Sequence, residues 1–250
     1  MEIQKVIHSS NDEPLYLDFW ESVSKIWKLK FGIEPILLYF GDKKINEQYG
    51  TVIKIEDLPS VPTYISCLFS RYWYPTTEKN TTFMLSDIDM FPISKWYFID
   101  QLKNISDDKY VHLNYSFKSP NYLATCYHVA KGSTFENVLE LKDSWQDFMN
   151  TNIWNKSSHT SYHLKEIDQI FKLWGADESW ASQKIMNYSN QDIIVKLSRG
   201  DNLSSYRLDR SKWSWNENLI NKFYDCHCIR PYLQNKNEID HLVNQIIKTY

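Results

Sequence analysis

The amino-acid sequence predicts an α/β fold: one domain built on a central sheet flanked by helices. Three observations predict it. Short apolar, strand-like runs alternate with helically spaced segments through the first ninety residues, the pattern of a sheet with crossover connections. The chain has 250 residues, enough to bury a sizeable core within one domain. No internal repeat, low-complexity tract or Gly/Pro-rich linker divides it.

The elements follow in order. Lys5 to Ser9 reads as an opening strand, and residues Leu15 to Phe31 place Phe19, Val23, Ile26 and Leu29 at helical spacing. Glu34 to Phe40 is a compact apolar run closed by the turn residues Gly41-Asp42, a strand and its exit. Val52 to Ile55 is a further short strand, Pro62-Thr63 starts a helix running to Tyr74, and Phe83 to Ser86 is again strand-like. The later half is less regular. Val111 to Phe117 and Leu123 to Val129 read as strands, His163 to Trp174 as an amphipathic helix and Asn235 to Lys248 as a closing helix.

Composition excludes several function classes. Twenty-eight Lys and Arg against 31 Asp and Glu leave a net charge of −3, without the basic excess that a phosphate backbone demands, so nucleic acid is not an expected partner. No run approaches the ~18 apolar residues of a membrane span. The amino terminus lacks a positive start followed by an apolar stretch, so a cytoplasmic protein is expected. Four Cys are too few for a disulfide scaffold and are expected to be reduced. Aromatic residues reach 16%, and their flat apolar faces with polar tips suit both sugar surfaces and ordinary cores.

The chemistry concentrates in Phe83-Met84-Leu85-Ser86-Asp87-Ile88-Asp89-Met90-Phe91-Pro92-Ile93. Two carboxylates inside an apolar stretch are costly unless paired or metal-bound. In extended chain, residues two apart project to the same side, so Asp87 and Asp89 both face a cleft at the strand's carboxyl end while Ile88 points to the core. Such oxygen ligands suit Mg²⁺ or Mn²⁺, which combine one or two carboxylates with substrate phosphates. A solvated strand end or helix cap would place the same residues there.

This segment resembles the DxD motif of A-type (GT-A fold) nucleotide-sugar glycosyltransferases, and its wording is similar to small transferases of large DNA viruses and bacteria. The resemblance covers most of the chain in motif order, without residue-by-residue identity. It implies a GT-A-like domain over residues 1–250 with a Rossmann-like mixed sheet. About 1–92 would form the nucleotide-sugar-binding half and about 93–250 the acceptor-binding half. It also implies a nucleotide-sugar donor, UDP-sugar favoured, a glycan or other hydroxyl acceptor, and Mn²⁺ or Mg²⁺ held by Asp87 and Asp89. If the source is viral, the location is the host cytoplasm. A HAD-type phosphatase also uses Asp-x-Asp but needs a following Gly-Thr-like turn, which Met90-Phe91 does not supply.

Further constellations join this motif. His8-Ser9-Ser10-Asn11-Asp12 is a polar turn at the sheet's carboxyl edge, and by the resemblance Ser9, Ser10 and Asn11 meet the nucleotide, as does the Asp87-Ile88-Asp89 unit. Arg71, at the end of the helix before the acidic strand, reaches the donor or locks Asp87. Trp174-Gly175-Ala176-Asp177-Glu178-Ser179-Trp180 looks like the Trp-Gly-acidic segment of several inverting transferases. Inversion needs a base for the acceptor hydroxyl; Asp177 is the first choice and Glu178 the second. The family often brings a late His to the metal and a nearby cation to the diphosphate; His227 and Arg230 match. An imidazole ligand favours Mn²⁺ over Mg²⁺. Cys226-His227-Cys228 invites a zinc reading, but adjacent ligands on alternating faces cannot close one tetrahedron. By the resemblance Lys131 and His128 lie beside the donor sugar. Arg207 and Arg210 either close over phosphate or belong to an exposed loop. Two other functions remain open: a non-catalytic carbohydrate-binding protein, and a metal-dependent phosphohydrolase or nucleotidyltransferase.

Overall fold

A computed structural model describes residues 1–141, 144–153, 175–200 and 205–249. The helix expected over His163 to Trp174 lies outside the described residues. β1 (Lys5–Asn11) runs past Ser9 because Ser10 and Asn11 keep pairing with Tyr39 and Phe40 of β2 (Glu34–Phe40). The single helix expected between them is broken into α1 (Pro14–Leu17), α2 (Trp20–Ile26) and a wider π turn over Trp27–Phe31. Pro14 suits the first helical turn, where its missing N–H has no partner to lose, and Gly32 ends the segment at φ 70°. β3 (Thr51–Lys54), α3 (Thr63–Trp73) and β4 (Thr82–Leu85) follow within a residue or two of expectation.

Beyond β4 the chain is built from shorter pieces: β5 (Met90–Pro92), α4 (Lys95–Phe98), β6 (Tyr110–His112), β7 (His128–Lys131) and α5 (Gly132–Leu139). α6 (Ala176–Asn187), β8 (Ile194–Lys196), β9 (Arg207–Asp209), β10 (Asp225–His227) and α7 (Lys236–Lys248) complete it. The strand expected over Leu123 to Val129 begins only at His128. The Leu123 and Thr125 N–H groups bond instead to Ser182 Oγ (2.8 Å) and Glu178 Oε1 (2.9 Å) of α6, so this edge of the segment faces the helix and not a neighbouring strand. Likewise the strand expected to reach Phe117 stops at His112, and Tyr115 N–H turns to Leu197 O (2.9 Å).

Seven strands form a mixed sheet in the order β3-β2-β1-β4-β7-β6-β8, and β5-β10-β9 make a second, three-stranded sheet. β1, β2, β3 and β4 are parallel, and β7 is antiparallel to β4 and β6. Alternation along the parallel strands sends Val6, Leu37, Tyr39 and Met84 to one face, with α2 and α7. Ile7, Ile36, Leu38, Phe40, Phe83 and Leu85 go to the other, with α3, α5 and α6. Both faces are covered, which is why these strands read as continuous apolar runs rather than alternating ones. Burying each such side chain contributes ~1.5–3 kcal/mol, so the sheet's centre is the rigid part on which the site is mounted.

Candidate active site

The chain leaves β1 toward β2 on one side and returns to β4 on the other, so the strand order reverses at β1. In open α/β sheets such a reversal opens a crevice at the strands' carboxyl ends. Here the crevice is a cavity of about 590 Å³ bordered by Ser9, Ser10 and Asn11 from β1, the segment after β4, α3, the start of α6, Arg210, His227 and Arg230.

β4 ends at Leu85, and the chain turns so that both acidic residues meet this cavity. Asp87 keeps 36% of its side chain exposed and is paired with Arg71. Asp89 is nearly buried. Its Oδ2 accepts from Arg210 Nη1 (3.0 Å) and from Arg230 Nε (2.9 Å) and Nη2, and His227 Nε2 lies 3.3 Å away. Burial alone would raise the Asp89 carboxyl, but His227 and Arg230 more than offset it and hold it well below the ordinary carboxylate range. The other nitrogen of His227 is 3.3 Å from Asp209 Oδ2, so the ring is held between two carboxylates. Arg230 lies over the Tyr16 ring at 4.3 Å and donates to the Tyr16 hydroxyl (3.0 Å).

Arg71 is buried and bridges the cavity floor. It pairs with Asp87 and with Asp177 Oδ2 (3.2 Å). Asp177 also accepts from Thr125 Oγ1 (3.0 Å). Burial raises the Asp177 carboxyl despite Arg71, and both of these bonds converge on its Oδ2. Glu178 is differently placed: Oε1 accepts from Thr125 N–H, Oε2 from the Tyr122 hydroxyl, and burial lifts its pKa to about 7. Burial thus raises both acidic residues at the start of α6, and it brings Glu178 close to neutrality.

Sequence-based expectations fare unevenly in this geometry. The structure brings together Ser9, Ser10, Asn11, Arg71, Asp87, Asp89, Asp177, Glu178, His227 and Arg230. Ile88 borders the cavity but sends its side chain to the core. Lys131 is not brought there. β7 runs antiparallel to β4, so Lys131 pairs with Thr82 at the far end of that strand and sits 3.4 Å from Asp107. His128 is buried against His112, with ring centroids 4.6 Å apart. Arg207 turns inward to Asp225, whereas Arg210 does reach the cavity. Tyr16, Tyr122 and Thr125 sit at the site without any sequence motif to mark them.

Among the described residues no group of three or more His, Cys, Asp or Glu side chains is placed so that it could by itself hold a metal ion. Asp89 and His227, 3.3 Å apart, are close to the ~3 Å that separates neighbouring ligands of a six-coordinate ion with ~2.1 Å bonds. That pair offers two ligands, and an ion there would take the rest from a bound phosphate and water.

No protein-family model matches the chain, and no curated protein does. Solved structures do match in fold, among them several glycosyltransferases. The galactosyltransferase LgtC, solved in complex with donor and acceptor sugar analogues, superposes with a TM-score of 0.53 at 10% identity, over 99% of this chain and 97% of LgtC. An active-site mutant of LgtC gives 0.54 at 8% identity, over 96% of each chain. The apo form of the glycosyltransferase GlyE of Streptococcus pneumoniae gives 0.50 at 10% identity; this chain is covered fully and spans 61% of GlyE's length. The likeness establishes the GT-A fold of this protein, with its seven-stranded mixed sheet between helices.

Proposed function

We propose that this protein is a metal-dependent glycosyltransferase that moves a sugar from a nucleoside-diphosphate sugar, UDP-linked by the resemblance above, to a glycan or other hydroxyl acceptor. One observation carries the reading: the strand-end carboxylates Asp87 and Asp89 share a crevice with the cations Arg71, Arg210 and Arg230 and with the near-neutral acid Glu178. The fold of the transferases described above supports it.

Charge supports the metal. Three guanidinium groups face five carboxyls in the cavity, so the site carries no spare positive charge before any ligand enters. A diphosphate adds at least two negative charges to that balance, and a divalent cation restores it. Asp87, Asp89 and His227 would hold Mn²⁺ or Mg²⁺, which when bound acts as a Lewis acid on the diphosphate. Arg210 and Arg230, paired with Asp89 in the same wall, would neutralise charge growing on the leaving nucleoside diphosphate. Ser9, Ser10 and Asn11, at the end of β1, line the cavity and would meet the nucleoside. Glu178 accepts the proton of the acceptor hydroxyl as it attacks the anomeric carbon. Asp177, tied to Arg71, is the positioning group beneath it. A base on the acceptor side makes inversion the expected outcome.

Calorimetry with UDP in Mn²⁺ and in chelator tests the donor side: tight binding in Mn²⁺ and weak binding in chelator are expected, and equal affinities would overturn the metal assignment. His227→Ala should weaken Mn²⁺ while leaving the melting temperature nearly unchanged. Proton NMR of the first transfer product tests the chemistry. A retained anomeric configuration would remove the base role from Glu178 and leave it as a contact to the sugar.

A further inference from the structure

The strands that hold Asp209 and His227 at the cavity carry, at their other ends, a stack of aromatic rings that the proposed transfer does not use. Tyr97 is buried, and its hydroxyl donates to Leu113 O (2.7 Å). Tyr224 stacks on it, with centroids 5.0 Å apart and planes at 13°. Tyr206 stacks on Tyr224 in turn, at 4.9 Å and 26°, and is 56% exposed. Trp96, 53% exposed, leans on the same Tyr224 ring at 5.5 Å. Tyr224 is thus held between a core ring and a surface ring.

The platform is rigid. Tyr224 N–H donates to Tyr206 O (2.7 Å), and Tyr224 O accepts from both Ile93 and Ser94 N–H (3.0 Å each), so three separate segments are tied by backbone bonds. Tyr206 adopts φ 57°, a left-handed conformation unusual for a bulky residue. That strain sets the ring flat on the stack. Large exposed aromatics placed together mark a binding surface more often than a solvated one. Their polar tips narrow the ligand: Trp96 Nε1 and the Tyr206 and Tyr224 hydroxyls make no hydrogen bond among the described residues. An aliphatic protein face would strip water from these three groups and leave them unpaired, which costs more than the contact gains. A pyranose presents an apolar C–H face to the rings and hydroxyls to their tips.

We propose that Trp96 and Tyr206, mounted on Tyr224, form a second carbohydrate subsite, which binds a sugar ring of an oligosaccharide by stacking. It is separate from the donor cavity. Tyr206 lies four residues along β9 from Arg210, roughly 13 Å of extended chain. The inference rests on the transferase reading only for the expectation that glycans are this protein's ligands, and its test needs neither donor nor metal.

The test is saturation-transfer NMR and titration of the whole protein, in chelator and without nucleotide, using maltotetraose, cellotetraose and β-1,4-galactotetraose as probes. At least one tetraose should bind, and the double variant Trp96→Ala/Tyr206→Ala should weaken it about tenfold or more. Tyr206→Phe, which keeps the ring, should retain most of the affinity. All variants should melt close to the parent, because both side chains are largely exposed. Absence of binding by all three tetraoses, or unchanged affinity in the double variant, would overturn the subsite. Concentration-dependent self-association abolished by the double variant would also overturn it, assigning the surface to a second copy of the chain. A failed UDP titration leaves this result intact, so the two proposals fail separately.

Discussion

Two buried carboxylates in this protein are each surrounded by two arginines, and they do opposite things. Asp225 is fully enclosed: Arg199 Nη1 (2.6 Å), Arg207 Nη2 (2.8 Å) and the Tyr127 hydroxyl (2.9 Å) meet Oδ2, and Arg207 Nε (3.0 Å) meets Oδ1. Both of its oxygens are engaged, and its side chain is fully buried. Asp89 has Arg210, Arg230 and His227 crowded on Oδ2 alone, and it borders the 590 Å³ crevice. The same residue types form a structural rivet when satisfied on all sides and a binding site when the cations are shared with an open cavity. Arginines held by Asp89 are available to a ligand; those held by Asp225 are not.

Substitution should separate the two. Asp225→Ala leaves two buried guanidinium groups uncompensated and should destabilise the fold by ~3–5 kcal/mol, read by denaturant titration. Asp89→Asn should leave the melting temperature within a few degrees and lower transfer by roughly 10²–10³-fold, on the order of 2.7–4 kcal/mol of transition-state stabilisation. The acid limb sharpens the contrast. Burial raises Asp225, but Arg199 and Arg207 more than offset it and hold the pKa at about 2, below the ordinary 3.8. Its contribution is present above pH 3.8 and lost as pH falls through 2. Acid titration of the parent should therefore lose stability in that window, and Asp225→Asn should lose less.

Glu178 gives the next largest effect, with opposite linkage. Its pKa is raised from 4.5 to about 7 by burial, so the folded state favours the protonated carboxyl. The associated stability is full below pH 4.5 and lost as pH rises through 7, at most ~3 kcal/mol. Glu178→Gln should match the parent's stability near pH 4 and exceed it near pH 8, while transfer falls by ~10²–10⁴-fold. Equal stability at pH 8 would show that Glu178 is not desolvated in solution.

The parts legible in the sequence are those whose cause is local. β1, β2, α3 and β4 are apolar runs or amphipathic turns with turn residues at their ends, and they were placed to within a residue or two. Asp87 and Asp89 stood out because carboxylates inside an apolar stretch need a partner. β5, β9 and β10 are three residues each and exist through pairing with one another, so no period announces them. Lys131 shows a subtler limit: the strand expected over Leu123 to Val129 runs instead over His128–Lys131, and the antiparallel direction that carries Lys131 away from the site depends on β4 and β6. The proposed preference for Glu178 over Asp177 as base likewise rests on packing that the sequence does not show. Arg71 comes from α3, and its pairing with the first acid rather than the second has no local signature.

Tyr122→Phe should give the smallest effect and the most specific one. The Tyr122 hydroxyl donates to Glu178 Oε2, and a donor of this kind stabilises the carboxylate over the acid. Removing it leaves Thr125 N–H on Oε1 and the burial unchanged, so the Glu178 pKa should move further up from about 7. A base must be deprotonated to act, so the acidic limb of the transfer rate against pH should shift to higher pH in this variant. At pH 7 transfer should fall several-fold, and near pH 9 it should approach the parent's rate. A loss that is the same at every pH would show that Tyr122 supports the loop and not the base. A shift of the limb to lower pH would mean the hydroxyl faces the protonated carboxyl, and Glu178 would then serve the reaction as an acid.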